Sequence, residues 1–286
     1  MAIYKSQKGR EKSLELYDKQ LMKLGKEYSD IYIKTSFGKT HIVETGNRTG
    51  NPLLVFHGGN STSAYNLLVC RFLLEDFHVY AVDIIGHPGK SDEVSLNHRG
   101  YDYGKWASEV IDGLGYDKIA CFGGSFGGGV LAKLICVAPE KVKKAVLVVP
   151  AGINNAFPIS SIKMMIPLLQ YCITKKEKYL IKTALYMALK KEVLDDDTLE
   201  IVKDSFDHVK TKVGMPTNID AKKALEYHSP ILVIASEKDC LFPAKKVLPR
   251  AKCIFSDCRT EELKDSGHMH ILPQNIKNTI IDFLKD

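Results

Sequence analysis

The chain has 286 residues, 45% of them hydrophobic and 26% charged, which suits one large α/β domain with room for an insertion. Its net charge of +6 comes from Lys and Arg dispersed among acids, so a mixed, solvated surface is expected and nucleic-acid binding has no support. Seven cysteines without metal-type spacing, no signal-like start at Met1-Ala2-Ile3-Tyr4-Lys5 and no stretch of membrane-span length lead to the expectation of reduced thiols in a cytoplasmic protein.

Between Ser6 and Leu24, Leu14, Tyr17, Leu21 and Leu24 recur at near-helical spacing, which predicts an amphipathic helix packed on the domain's own surface. Its polar face mixes both charge signs, which argues against a membrane-surface role. Ile31–Thr35 and Thr40–Glu44, separated by Ser36-Phe37-Gly38-Lys39, read as a β-hairpin at a sheet edge, with His41 an ordinary strand residue. The apolar run Pro52–Phe56 predicts a central parallel strand, and it runs into His57-Gly58-Gly59-Asn60-Ser61. A helix over Ala64–Leu74 and a strand over His78–Asp83 follow. The loop from Asp83 to Ser91 is expected to be fixed by the side chains of those two residues bonding its backbone. A helix over Tyr103–Leu114 stops at Gly115, with Trp106, Val110 and Leu114 on one core-facing stripe.

The stretch from Lys118 to Ile135 organises the chain. A short β-branched and aromatic run leads into Gly123-Gly124-Ser125-Phe126-Gly127, and an apolar helix follows at once. A strand-to-helix turn this sharp crowds the backbone, so glycines are needed two residues either side of Ser125. The serine hydroxyl is then held at the carboxyl edge of the sheet, beside the free N–H groups of a helix start. A flexible turn without chemistry is the bland alternative. A dinucleotide fingerprint at Gly127-Gly128-Gly129-Val130-Leu131-Ala132 would need an acid about twenty residues on, where Val148-Val149-Pro150-Ala151-Gly152 offers none.

This G-x-S-x-G turn resembles the nucleophile elbow of the α/β-hydrolase family. The resemblance implies a mostly parallel, doubly wound α/β sheet, and it covers essentially the whole chain. His57-Gly58-Gly59 is similar to the family's oxyanion loop, which implies backbone N–H donors at Gly59 and Phe126, a side-chain donor at Asn60 and a structural His57. In the loop after Asp83, His87-Pro88 departs from the family's usual glycine spacing.

Lys144–Val149 reads as a further buried strand, and the next is Ile231–Ala235. The interval 153–226 is far too long for a crossover, and Ile159–Cys172, Glu177–Lys190 and Asp197–Lys212 show helical spacing. The family places a helical cap at this junction, so the resemblance implies a core of residues 1–152 and 227–286 and a cap inserted after the sixth strand. The apolar segment from Ser160 to Leu169, with Met164 and Met165, either lines an acyl or alkyl pocket or packs on the core. After Ile231–Ala235, Asp239 matches the family's triad acid, with Glu237 a lower-ranked substitute. Gly267-His268 resembles its base loop, so His268 outranks His270. The last strand lies either at Cys253–Phe255 or at Thr260–Leu263, and Thr279–Leu284 ends the chain as a helix.

The expected chemistry is acyl transfer. Ser125 attacks an ester carbonyl, His268 moves the proton, Asp239 orients the ring, and neither a metal nor an organic cofactor is required. The resemblance is to small carboxylesterases acting on a small-molecule ester, as a monomer or homodimer. Thioesterase, lactonase, carbon–carbon bond hydrolase and haloperoxidase-like chemistry share the same triad. A non-catalytic binding protein on the same fold is the alternative of another class.

Overall fold

The computed structural model describes residues 3–155, 160–210 and 214–285, with residues 160–162 described by backbone alone. Its first helix, α1 (Gln7–Leu24), is capped at one end by the Ser6 hydroxyl, which accepts from the Gly9 N–H, and ends at Gly25 in the left-handed conformation. The hairpin follows as β1 (Tyr28–Thr35) and β2 (Gly38–Gly46), both longer than the sequence pattern suggests. Then come β3 (Asn51–Phe56), α2 (Ser63–Val69), β4 (Phe77–Val82) and α3 (Asp102–Gly113). The elbow segment supplies β5 (Ile119–Gly124) and α4 (Phe126–Ile135), and β6 (Val142–Val148) follows.

The segment between β6 and β7 holds α5 (Ser160–Thr174), α6 (Glu177–Ala188), α7 (Asp196–Asp207) and a short α8 (Ala221–Leu225). The expected helix start at Ile159 and helix end at Lys212 lie outside the described residues. The chain closes with β7 (Ile231–Ser236), α9 (Ala244–Ile254), β8 (Cys258–Leu263) and α10 (Gln274–Lys285). Of the two candidates for the last strand, the later one forms it; Cys253 and Ile254 belong to α9 instead.

Among the described residues the strands form one eight-stranded sheet in the order β1-β2-β4-β3-β5-β6-β7-β8. The β1–β2 and β2–β4 pairs are antiparallel and all the others parallel. Side chains alternate between two cores because strand side chains have a period of two. Leu54 and Phe56 face one core with Trp106 and Val110 of α3 and Leu131 of α4. Leu53 and Val55 face the other with Tyr17 and Leu21 of α1, Leu67 of α2 and Ile280 of α10. The amphipathic first helix therefore covers the domain's own sheet, as its mixed polar face implies.

Trp106 is wholly buried and its indole N–H donates to the Thr40 hydroxyl at 2.8 Å. His41 lies in β2 as expected, fully buried, with its ring held between two carboxylates. A local alternation pattern sees only that a position faces inward, not what waits there.

Trp106→Ala removes the largest buried side chain of this core together with a buried hydrogen bond. It should lower unfolding stability by about 3–5 kcal/mol, read as a shifted midpoint in urea with unchanged m.

Candidate active site

Ser125 lies at the junction of β5 and α4 with φ 50° and ψ −113°, a conformation non-glycine residues rarely adopt. Such strain costs on the order of 1–3 kcal/mol and persists only where the surroundings over-determine it. Here they do. The Ser125 N–H donates to Val148 O at 2.9 Å, and its carbonyl accepts from Gly129 and Ala151 at 3.1 and 3.0 Å. The flanking glycines are explained by contact: a Cβ on Gly123 would sit 2.6 Å from Gly127 O, and one on Gly127 would collide with Phe56 O. The α4 helix thus lies against the end of β3, where the glycine loop begins.

The two partners of Ser125 come from loops at the same carboxyl edge of the sheet. Ser125 Oγ is 2.9 Å from His268 Nε2, and His268 Nδ1 is 2.8 Å from Asp239 Oδ2. Asp239 follows β7 and His268 follows β8, so two adjacent parallel strands deliver them. The other Asp239 oxygen accepts from the N–H groups of Leu241 and Phe242 at 2.6 and 2.9 Å. Burial by itself would raise the Asp239 pKa, but the His268 ring and these two donors hold it below the ordinary carboxylate value. The Phe242 ring meets the His268 ring edge-on at 5.5 Å between centroids.

His270 stands behind the site. Its Nδ1 donates to His268 O at 3.0 Å, and desolvation pushes its pKa down to about 4, so it is neutral near pH 7. Glu237, the substitute acid, points elsewhere and accepts from the Asp265 N–H at 2.9 Å. The α6 end also reaches the base loop. Met187 O accepts from the Met269 N–H at 3.2 Å, and it lies so close to Gly267 that a Cβ there would collide with it. The glycine before His268 is required by that approach.

Gly58 and Gly59 lie beside the elbow: a Cβ on Gly58 would be 3.8 Å from Ser125 Cβ, and one on Gly59 would be 3.4 Å from Phe126 Cβ. The Phe126 N–H opens α4 and has no intrahelical acceptor. His57 is structural, as expected: Nδ1 donates to Gly58 O at 2.7 Å and Nε2 accepts from the Ile84 N–H at 2.9 Å. Asp83 and Ser91 also bind backbone as expected, Asp83 accepting from Ser63 and Lys90, and Ser91 donating to Asp83 O.

His87 is the residue that sequence reasoning missed. Its Nδ1 accepts from the Asn60 N–H at 3.2 Å, and its ring packs on Phe126 at 4.3 Å. Burial holds it well below the usual histidine range, which keeps Nδ1 free to accept. The signal was its departure from the expected glycine spacing. Asn60 itself has φ 53°, so the loop turns left-handed there.

The Met residues of α5 divide. Met164 is half-buried, and Met165 is 55% exposed on the outer face, beside Ile166 and Leu169. Pro167 and Tyr171 take the inner face, and the Tyr171 hydroxyl donates to Asp207 of α7. The inner face of this helix packs on α6 and α7, and its outer face meets solvent. A cleft of about 660 Å³ opens between α6 and the loop after β7. Leu185, Tyr186 and Leu189 form one wall, and Asp239, Cys240 and Pro243 lie across from it.

A strained serine at a strand–helix turn, a histidine and an aspartate in hydrogen-bonded sequence, and a glycine loop beside them thus meet at the carboxyl edge of a doubly wound sheet. Residues 51–171 match the family described as alpha/beta hydrolase fold. The chain is 26% identical over 277 residues to "Carboxylesterase YbfK" of Bacillus subtilis, covering 94% of this chain and 92% of that protein. The crystal structure of carboxylesterase CesB (YbfK) from Bacillus subtilis superposes with TM-score 0.80 at 24% identity, over 97% of this chain and 98% of the other. The crystal structure of naproxen esterase (carboxylesterase NP), also from Bacillus subtilis, gives TM-score 0.81 at 24% identity over 95% and 96%. The chain has the α/β-hydrolase fold and is similar to carboxylesterases over nearly its whole length.

The lowered Asp239 pKa has a sign that can be tested. The folded state binds this proton less tightly than the unfolded chain, so the stabilisation is full above the unfolded value near 3.8 and is lost as pH falls through the lower folded value. Wild type should therefore lose urea stability relative to Asp239→Asn as pH drops from about 5 to about 3.

Proposed function

We propose that this protein is a serine hydrolase that cleaves a carboxylic ester of a small, largely apolar molecule through an acyl-enzyme on Ser125. The observation that carries the reading is the hydrogen-bonded line from Ser125 Oγ through His268 to Asp239, at 2.9 and 2.8 Å. A serine hydroxyl is a weak nucleophile at neutral pH, and this line supplies the base it needs. The carboxylesterases with which the chain aligns over nearly its full length support the same substrate class.

In this mechanism Ser125 Oγ attacks the ester carbonyl while its proton passes to His268 Nε2. Asp239 keeps the Nδ1–H tautomer and balances the imidazolium that forms. The carbonyl oxygen becomes an oxyanion facing the Gly59 and Phe126 N–H groups, with the Asn60 side chain as a further donor. Collapse expels the alcohol, which leaves with the proton held by His268. Water, deprotonated by the same ring, then releases the acid and regenerates Ser125.

The helices between β6 and β7 act as a cap in this reading, residues 153–226 over a core of 1–152 and 227–286. Contact of Met187 with the base loop supports it. The cleft beside Asp239, with Leu185 and Leu189 on one wall, gives a substrate substituent room next to this line. The seven cysteines are free thiols, which suits a reducing, cytoplasmic setting. No described helix is long and apolar enough to cross a membrane.

A series of p-nitrophenyl esters from acetyl to lauroyl tests the reading. Ser125→Ala should lower kcat by about 10⁴-fold or more and abolish fluorophosphonate labelling, and Asp239→Asn should lower kcat by about 10⁴-fold with labelling slowed. A folded wild type that neither labels nor turns over any of these esters would instead be a ligand-binding protein.

A further inference from the structure

Below the glycine loop lies a polar cluster that the mechanism does not use. His41 of β2 is fully buried, with Nδ1 2.8 Å from Asp83 Oδ2 and Nε2 2.7 Å from Asp30 Oδ1. Ionised carboxylates only accept hydrogen bonds, so both contacts are satisfied together when both ring nitrogens carry hydrogen. The local charge points the same way. Asp83 is 0% exposed, and a buried carboxylate needs a paired cation. Lys90 Nζ is engaged by Asp18 at 2.9 Å and is 3.9 Å from Asp30, and the His41 ring is the basic side chain paired with Asp83.

Every element packed around the ring contributes. Asp30 and the Tyr32 ring come from β1, the latter at 5.0 Å between centroids. Tyr17 of α1 places its hydroxyl 3.4 Å from Nδ1 and 2.8 Å from the Ser63 hydroxyl of α2. Asp83 and Lys90 come from the loop after β4. Burial raises the Tyr17 pKa well above its ordinary value, so its hydroxyl stays neutral.

Asp83 passes this order on to the glycine loop by two routes. Its Oδ1 accepts from the N–H of Ser63, which begins α2 directly after the loop. The backbone after Asp83 carries the Ile84 N–H to His57 Nε2 and presents His87 Nδ1 to the Asn60 N–H. Gly59 lies between these anchors.

We infer that His41 is a positioning residue for ester hydrolysis: clamped between Asp30 and Asp83, it fixes the loop whose Gly59 N–H receives the oxyanion. The inference rests on the reading of Ser125 as nucleophile and of Gly59 and Phe126 as oxyanion donors. An oxyanion donor matters more in the transition state than in the bound ester, so a loosened loop lowers kcat and spares KM.

The experiment compares wild type, Asp30→Asn, His41→Gln and His41→Phe. Each is titrated with a fluorophosphonate, assayed for kcat and KM on p-nitrophenyl acetate across pH, and melted to establish folding. Asp30 is partly exposed, so Asp30→Asn keeps the test decisive if the His41 variants do not fold. His41→Phe should lose about 10²-fold in kcat with KM within about twofold, comparable to losing one oxyanion donor. His41→Gln, which keeps one donor, should recover part of that loss. Asp30→Asn should lose about five-fold in kcat with KM within about twofold, because one of the two carboxylates holding the ring is gone. A folded Asp30→Asn with wild-type kcat overturns the inference, as does a loss that tracks only the folded fraction. Wild type that neither labels nor turns over would overturn the functional reading instead, and the two failures are thereby distinguished.

Discussion

The bend at Ser125 is the constraint on which the rest of the molecule depends. It holds a non-glycine residue at φ 50°, and three backbone hydrogen bonds keep it there. The same bend needs α4 to lie against the end of β3, a contact only a glycine at 127 permits. That contact brings the start of a helix beside the loop containing Gly58 and Gly59. One tight turn therefore fixes both where the hydroxyl points and which backbone N–H groups surround it.

Around that bend the parallel order of the sheet gathers the remaining parts. Because β5, β6, β7 and β8 run the same way, the loops after them emerge at one edge. Asp239 and His268 are far from Ser125 in sequence and within one hydrogen-bonded line in space. Their loops are also tied to each other: the Lys238 N–H donates to Ser266 O, and Asp265 pairs with both Lys238 and Lys190. Exposed ion pairs of this kind contribute little energy singly, so the backbone bonds and the Met187 contact carry more of the register.

Histidine serves several roles within one small region. His268 faces the serine with one nitrogen and a carboxylate with the other. His57 and His87 are buried, their pKa values lowered by desolvation, and each uses a ring nitrogen to accept a backbone N–H near the glycine loop. His41 is buried between two carboxylates instead. The same side chain meets a hydroxyl, a backbone amide or a carboxylate according to what stands opposite it.

By itself the sequence determined the alternating apolar strands, the helix between Ser6 and Leu24, the helix stop at Gly115, the glycine-flanked serine, and the chain order Ser125, Asp239, His268. These are written in short windows, because periodicity, capping and tight turns are local physics. It left two candidates for the last strand, since Thr260–Leu263 is largely polar and its place is set by pairing with β7. It also gave no outward direction to Met165, no partner to His87 and no carboxylates to His41. Those were decided only by the tertiary structure, where residues distant along the chain come within hydrogen-bond reach and burial makes an unpaired charge too costly to leave.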